Sequence, residues 1–236
     1  MLGFMVALTL LGSADTQPPA APGQGVSEAL ARGRAATIKD LKYELSFTIP
    51  ADRQAAVRGR SIARFSLEKP QQVVFDFAQP PERLTFVRAA GRVVSTAVRD
   101  GHIVIPAEMT RAGANEIAFD FVAGDDALNR NDEFLYTLFV PARARLTFPC
   151  FDQPDLKARY RLTLITPEGW QAVANGAEIA RTSSLGTVEA KFQETAPLPT
   201  YLFAFVAGKW MKRSANSCTA ELPPANSSAY SCWRMG

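Results

Sequence analysis

From Leu41 onward the chain alternates strictly. Leu41, Tyr43, Leu45, Phe47 and Ile49 are apolar, and Lys42, Glu44, Ser46 and Thr48 between them are polar. A period of two puts one set on a buried face and the other in water, so this reads as a half-buried strand that Pro50 ends. Ala63, Phe65 and Leu67 repeat the pattern before Pro70, as do Val73, Phe75 and Phe77 before Pro80-Pro81. Leu84–Val87, Arg92–Val98 and His102–Ile105 read as short strands, with Asp100-Gly101 as a hairpin turn. Gly113-Ala114-Asn115 reads as a turn, after which Ile117, Phe119 and Phe121 alternate again. Tyr160–Thr166 and Tyr201–Val206 are the later strands. Turn residues recur about every 8–12 residues without a long amphipathic helix between them, which predicts an all-β fold, an antiparallel β-sandwich or saddle.

The two ends break this order. Leu2–Leu11 is an apolar run followed by Gly12-Ser13-Ala14, which suits a secretory cleavage site and export to a periplasmic or extracellular space. No Lys or Arg precedes the run, so a mis-set start or an apolar tail in a cytoplasmic protein is the competing reading. The run is too short for a stable membrane span, which needs roughly 20 apolar residues. Residues 15–37 hold a Pro/Gly/Ala linker and one short helix, Ser27–Arg34, with Ser27 as N-cap. The β-domain is expected over 38–208. Residues 209–236 are small and aperiodic, either a natural disordered tail or a departure from the reading frame.

Composition narrows the chemistry. The 236 residues are 47% hydrophobic and 21% charged with net charge +3, and the basic residues are scattered, which argues against nucleic-acid binding. Three cysteines, Cys150, Cys218 and Cys232, make no disulfide framework and lack metal-ligand spacing. His102 is the only histidine; no HExxH helix, GxSxG elbow or glycine-rich phosphate loop accompanies it, and its place after Asp100-Gly101 predicts an exposed turn residue. The run FPCFDQPDLKA, Phe148–Ala158, concentrates a thiol, two carboxylates and two prolines. With no histidine placed to activate it, Cys150 reads as a small buried hydrophobe. Phe148 and Phe151 read as core anchors, and Asp152 and Asp155 as caps of a turn that Pro149 and Pro154 stiffen. No catalytic residue and no metal ligand is assigned.

Two blocks carry a resemblance. Ala144-Arg145, Phe148–Pro154, Lys157-Ala158 and Asn175-Gly176 stand in the order and spacing of the N-terminal β-domain of zinc aminopeptidases of the aminopeptidase N type. Thr195–Gly208 resembles the closing strand of that domain. The resemblance implies a saddle-shaped, non-catalytic β-domain whose signature is Arg145, Phe148, Pro149, Cys150, Phe151, Asp152, Pro154 and Asp155. It also implies a thermolysin-like catalytic domain as partner, which carries the zinc, the GAMEN strand and the HExxH helix and reaches peptides. None of these motifs occurs here, so the chain is expected to be inactive alone and to stop near where that domain should begin. Many family members hold the substrate amine through Gln or Glu shortly before the Ala-Arg pair. Here that place falls on Leu138-Phe139-Val140, which leaves Phe139 and Val140 as candidates for lining a substrate entrance. The competing functional readings are a free-standing exported module that binds protein or glycan, and assembly with a separately encoded catalytic domain.

Overall fold

The computed structural model describes residue 23 and residues 25–210. The proposed leader, 1–14, and the tail from Met211, with Cys218 and Cys232, lie outside the described residues. One helix, α1 (Glu28–Thr37), precedes β1 (Lys39–Thr48), β2 (Arg58–Leu67), β3 (Val73–Asp76), β4 (Leu84–Ala89), β5 (Arg92–Val93), β6 (Val98–Arg99) and β7 (His102–Ile105). Then follow β8 (Gly113–Val122), β9 (Leu128–Arg130), β10 (Phe134–Thr137), β11 (Arg159–Pro167), β12 (Gln171–Ala174), β13 (Glu178–Ser184), β14 (Thr187–Phe192) and β15 (Phe205–Gly208).

The strands form three sheets. The largest has eight strands in the order β13-β14-β11-β1-β2-β8-β4-β5; β12-β15-β10-β9 make a second and β3-β7-β6 a third. Both small sheets pack on one face of the large one. Phe75 of β3 meets Phe119 of β8 with ring centroids 4.8 Å apart, and Phe205 of β15 meets Phe47 of β1 at 5.1 Å. The alternation read in the sequence supplies this core: Leu41, Tyr43, Leu45 and Phe47 of β1 are buried together with Ile117, Phe119 and Phe121 of β8. The intervening polar residues form a solvent-facing charge ladder, with Arg64 bridging Glu44 (2.7 Å) and Glu116 (2.8 Å), and Arg161 continuing to Glu44 and Glu194.

Several details differ from the sequence expectation. The large sheet is mixed, because β1 pairs in parallel with β11, a pairing between segments far apart in the chain that no local pattern encodes. Arg92–Val98 splits into β5 and β6, and Gly113-Ala114-Asn115 opens β8 rather than forming a separate turn. Tyr201 and Leu202 belong to a 3-10 turn, and the closing strand starts at Phe205. The strands β9, β10, β12, β13 and β14 add to those expected. The helix begins after the expected cap, Ser27, whose Oγ accepts from the Leu30 N–H at 3.2 Å, and runs on to Thr37.

Candidate functional site

The run Phe148–Asp155 lies across the middle of the core. Phe148, Cys150 and Phe151 have no exposed surface, and Phe151 stacks on Phe75 with centroids 4.3 Å apart. Its backbone is held from both sides: the Phe151 N–H donates to Tyr43 Oη (2.9 Å), and Thr200 Oγ1 donates to the Phe151 carbonyl (3.0 Å) while accepting from Tyr160 Oη (2.8 Å). Cys150 pairs with Asp76 at the end of β3, each N–H donating to the other's carbonyl (2.7 and 3.1 Å).

That pairing places the fully buried Asp76 carboxylate beneath the run, where three groups meet it. Arg34, the one buried residue of α1, grips it with both terminal nitrogens at 2.6 and 2.9 Å. The Asp152 N–H donates to Oδ2 at 2.8 Å, and His102 Nδ1 lies 3.0 Å from Oδ1 in a close ion contact off the ring N–H axis. Arg34 also reaches Gln153 Oε1 (3.4 Å) and stacks over the Phe151 ring. Gln153 in turn donates to the Ala31 carbonyl (3.0 Å), so the helix docks through polar groups. A buried carboxylate survives only when paired and hydrogen-bonded in this way.

The electrostatics follow from this geometry. Burial alone would raise the Asp76 carboxyl, but the close His102 ring, the Arg34 hydrogen bonds and charge and the Asp152 N–H outweigh it and hold the group below the usual range. The Asp76 carboxylate 3.0 Å away raises His102 against the opposing effect of burial, and the Gly25 and Gly23 carbonyls add to the rise. Burial pushes Asp152 up to about 6, opposed by the Arg145 N–H. Burial pushes the Cys150 thiol well up, with Asp152 and Asp76 adding to it, so no thiolate forms at neutral pH.

The residues singled out in the sequence fall into two groups. Arg145, Phe148, Pro149, Cys150, Phe151 and Asp152 gather at the junction, where Asp152 Oδ2 caps the Arg145 N–H at 3.1 Å. Pro154 and Asp155 are exposed at its rim, and Asp155 does not cap backbone: it accepts from the Gln153 side chain at 2.9 Å. The carboxylate expected to close the turn is directed instead to its neighbour's amide. Phe139 is buried against Phe148 and Phe203, whereas Val140 is 61% exposed. His102 corrects the expectation of an exposed turn residue. It is 1% exposed, because the turn ends at Gly101 and β7 begins with His102 facing Asp76 across β3. Asp76, Arg34 and Gln153 escaped the sequence reading. The signal for Asp76 was present as a lone carboxylate between Phe75 and Phe77 in an apolar run.

This is an all-β domain whose most chemical-looking segment is a buried tie rather than an open reaction centre. The model of the peptidase M1 N-terminal domain matches residues 114–202. Aminopeptidase N of Streptomyces lividans is 23% identical over 199 residues, which are 80% of this chain and 23% of that protein. Probable M1 family aminopeptidase 1 of Encephalitozoon cuniculi is 33% identical over 116 residues, 45% of this chain and 13% of that protein. The crystal structure of an M1 zinc metallopeptidase from Deinococcus radiodurans superposes with TM-score 0.64 at 18% identity, covering 73% of this chain and 42% of the other. The chain thus spans under a quarter of these two sequence relatives and less than half of the solved structure. Over residues 114–202 the β-domain is thus similar to the N-terminal domain of M1 peptidases, and the sequence relatives are aminopeptidases. That family is one of zinc enzymes, but the donors here do not fit zinc. Among the described residues no three His, Cys, Asp or Glu side chains are grouped so that they could hold a metal ion, and the one imidazole is committed to Asp76 and two backbone carbonyls.

Proposed function

We propose that this chain serves as the non-catalytic N-terminal domain of a zinc-dependent aminopeptidase, with no peptidase activity of its own. The observation that carries the reading is the single histidine, buried and with both ring nitrogens engaged, in a domain of the M1 N-terminal type. A catalytic zinc takes about three protein ligands and leaves one position open, and nothing in these residues supplies them. Leu138, Val140 and Leu202 are exposed around the stacked Phe139–Phe203 pair, and this apolar edge is the surface we assign to the catalytic domain. The opposite face of the large sheet, with its charge ladder, stays in water. The substrate entrance proposed at Phe139 and Val140 then rests on Val140, since Phe139 belongs to the core. Export through residues 1–14 is part of the same proposal, and mass spectrometry of the mature N-terminus tests it.

The test is direct. Purified chain, dialysed against zinc, is expected to retain no stoichiometric metal and to leave an aminoacyl anilide intact. Bound zinc at one equivalent together with hydrolysis overturns the reading. A free-standing module for protein or glycan is the second reading, and the self-contained core favours it. It predicts a monodisperse chain whose apolar edge binds no catalytic domain.

A further inference from the structure

Three segments meet around an open cleft of about 370 Å³. Arg53 comes from the turn after β1, where the Gln54 N–H donates to Asp52 Oδ1 at 2.7 Å. Asp125 and Asp126 come from the turn before β9, closed by the Leu128 N–H on the Asp125 carbonyl at 2.9 Å. Leu138 and Arg143 come from the segment after β10, tied to that turn by the Leu138 N–H on the Ala127 carbonyl at 2.8 Å. Two guanidinium groups fasten the walls together. Arg130, its side chain only 7% exposed, donates to the Ala55 carbonyl at 3.0 Å and to Asp125 Oδ2 at 2.9 Å. Arg143 donates to the Asp126 carbonyl.

The charges in this frame do not cancel. Arg130 and Asp125 neutralise each other, whereas neither Arg53 nor Arg143 forms an ion pair among the described residues. Three arginines against two aspartates leave one positive charge in excess. Donors are in excess as well: Arg130 Nε is buried without an acceptor, and Arg143 spends its guanidinium on a single backbone carbonyl. A guanidinium presents its N–H groups in a planar fork that matches a carboxylate. One negative charge balances the cleft, while a dianion such as phosphate would leave it negative beside Asp126. Leu138, 45% exposed, gives the same cleft an apolar wall. We propose that the cleft binds an organic monocarboxylate, with the carboxylate held by Arg143 and Arg53 and the apolar body lying against Leu138. The site adjoins the apolar edge assigned to the catalytic domain, but its chemistry stands whether or not that edge meets a partner.

The probe is 4-methylpentanoate, a carboxylate on a branched aliphatic body, titrated against the full chain by saturation-transfer NMR at low ionic strength. Binding is expected to saturate with Kd on the order of 1–10 mM. The neutral amide, 4-methylpentanamide, should bind about tenfold more weakly, as should the acid on Arg143→Gln. Arg53 is exposed and makes no side-chain hydrogen bond among the described residues, so Arg53→Gln leaves the frame intact and should still weaken binding by about threefold. That variant decides the matter even if the Arg143 variant unfolds. Asp126→Asn removes a like charge and should tighten binding by about two- to threefold. N-acetyl-alanyl-leucine, whose carboxylate is a peptide C-terminus, separates the two sources of such a group: tighter binding than 4-methylpentanoate assigns the site to peptides, and weaker binding assigns it to free acids. Equal binding of acid and amide overturns the proposal, as does binding that neither arginine substitution weakens, stronger binding of phosphate, or no saturation by about 100 mM.

Discussion

Asp152 and His102 give the domain an unusual pH response, which can be worked out group by group. Asp152 holds its proton to about 6 in the folded state against 3.8 ordinarily, so its contribution is complete below 3.8 and is lost as pH rises through about 6. His102, raised above 6.5, contributes fully below 6.5 and loses that contribution as pH rises through its higher folded value. Asp76 works the other way: its lowered carboxyl stabilises above 3.8 and fails only as pH falls through its depressed folded value. The thermal midpoint is therefore expected to climb as pH falls from 8 to about 5, and to drop only in stronger acid. Asp152→Asn, which keeps an oxygen for the Arg145 N–H, should flatten the climb between pH 7 and 5 by about 1 kcal/mol. A midpoint that falls steadily from pH 8 to 5 would contradict the assignment. At this scale the sequence was half legible. The thiol and the phenylalanines of the run are buried as expected, since apolar and weakly polar types sort by themselves. The partners of Asp76 were not legible, because Arg34, His102 and Asp152 are 42, 26 and 76 positions away and only the sheet topology brings them together.

The strands were read well where alternation is long and poorly where it is short. β1 and β8 announce themselves through four and three alternating apolar residues, whereas β5 and β6 have two residues each and are set by their neighbours. The parallel β1–β11 pair is another feature of tertiary origin. Gly59 on β2 shows how tightly the elements interlock. A Cβ built there would overlap the ring of Phe121 on the paired strand β8, so glycine is needed for lack of space rather than for a turn. Gly59→Ala is expected to cost about 1–3 kcal/mol in urea unfolding, through overpacking. Phe121→Leu in the same background should recover part of the loss, and a Gly59→Ala chain as stable as the natural one would show that the strands give way freely.

For the whole molecule, the two surfaces make opposite claims. The ladder of Arg60, Arg64, Arg161, Glu44, Glu116 and Glu194 is exposed and near balance, each pair worth roughly 0–1 kcal/mol, and marks the face left to solvent. The edge at Leu138, Val140 and Leu202 is apolar and open. Such an edge is expected to make the isolated chain self-associate, and Val140→Asp with Leu202→Asp should reduce that association in sedimentation while changing stability by less than about 1 kcal/mol. Unaltered association would place the sticky surface elsewhere. The central claim is that the buried run is an architectural tie, with Asp76 as its knot. Asp76→Asn tests it most directly, because the amide keeps the shape but leaves Arg34 buried without a counter-charge. Equilibrium urea unfolding should show a loss of about 3–5 kcal/mol. A loss under about 1 kcal/mol would contradict the account.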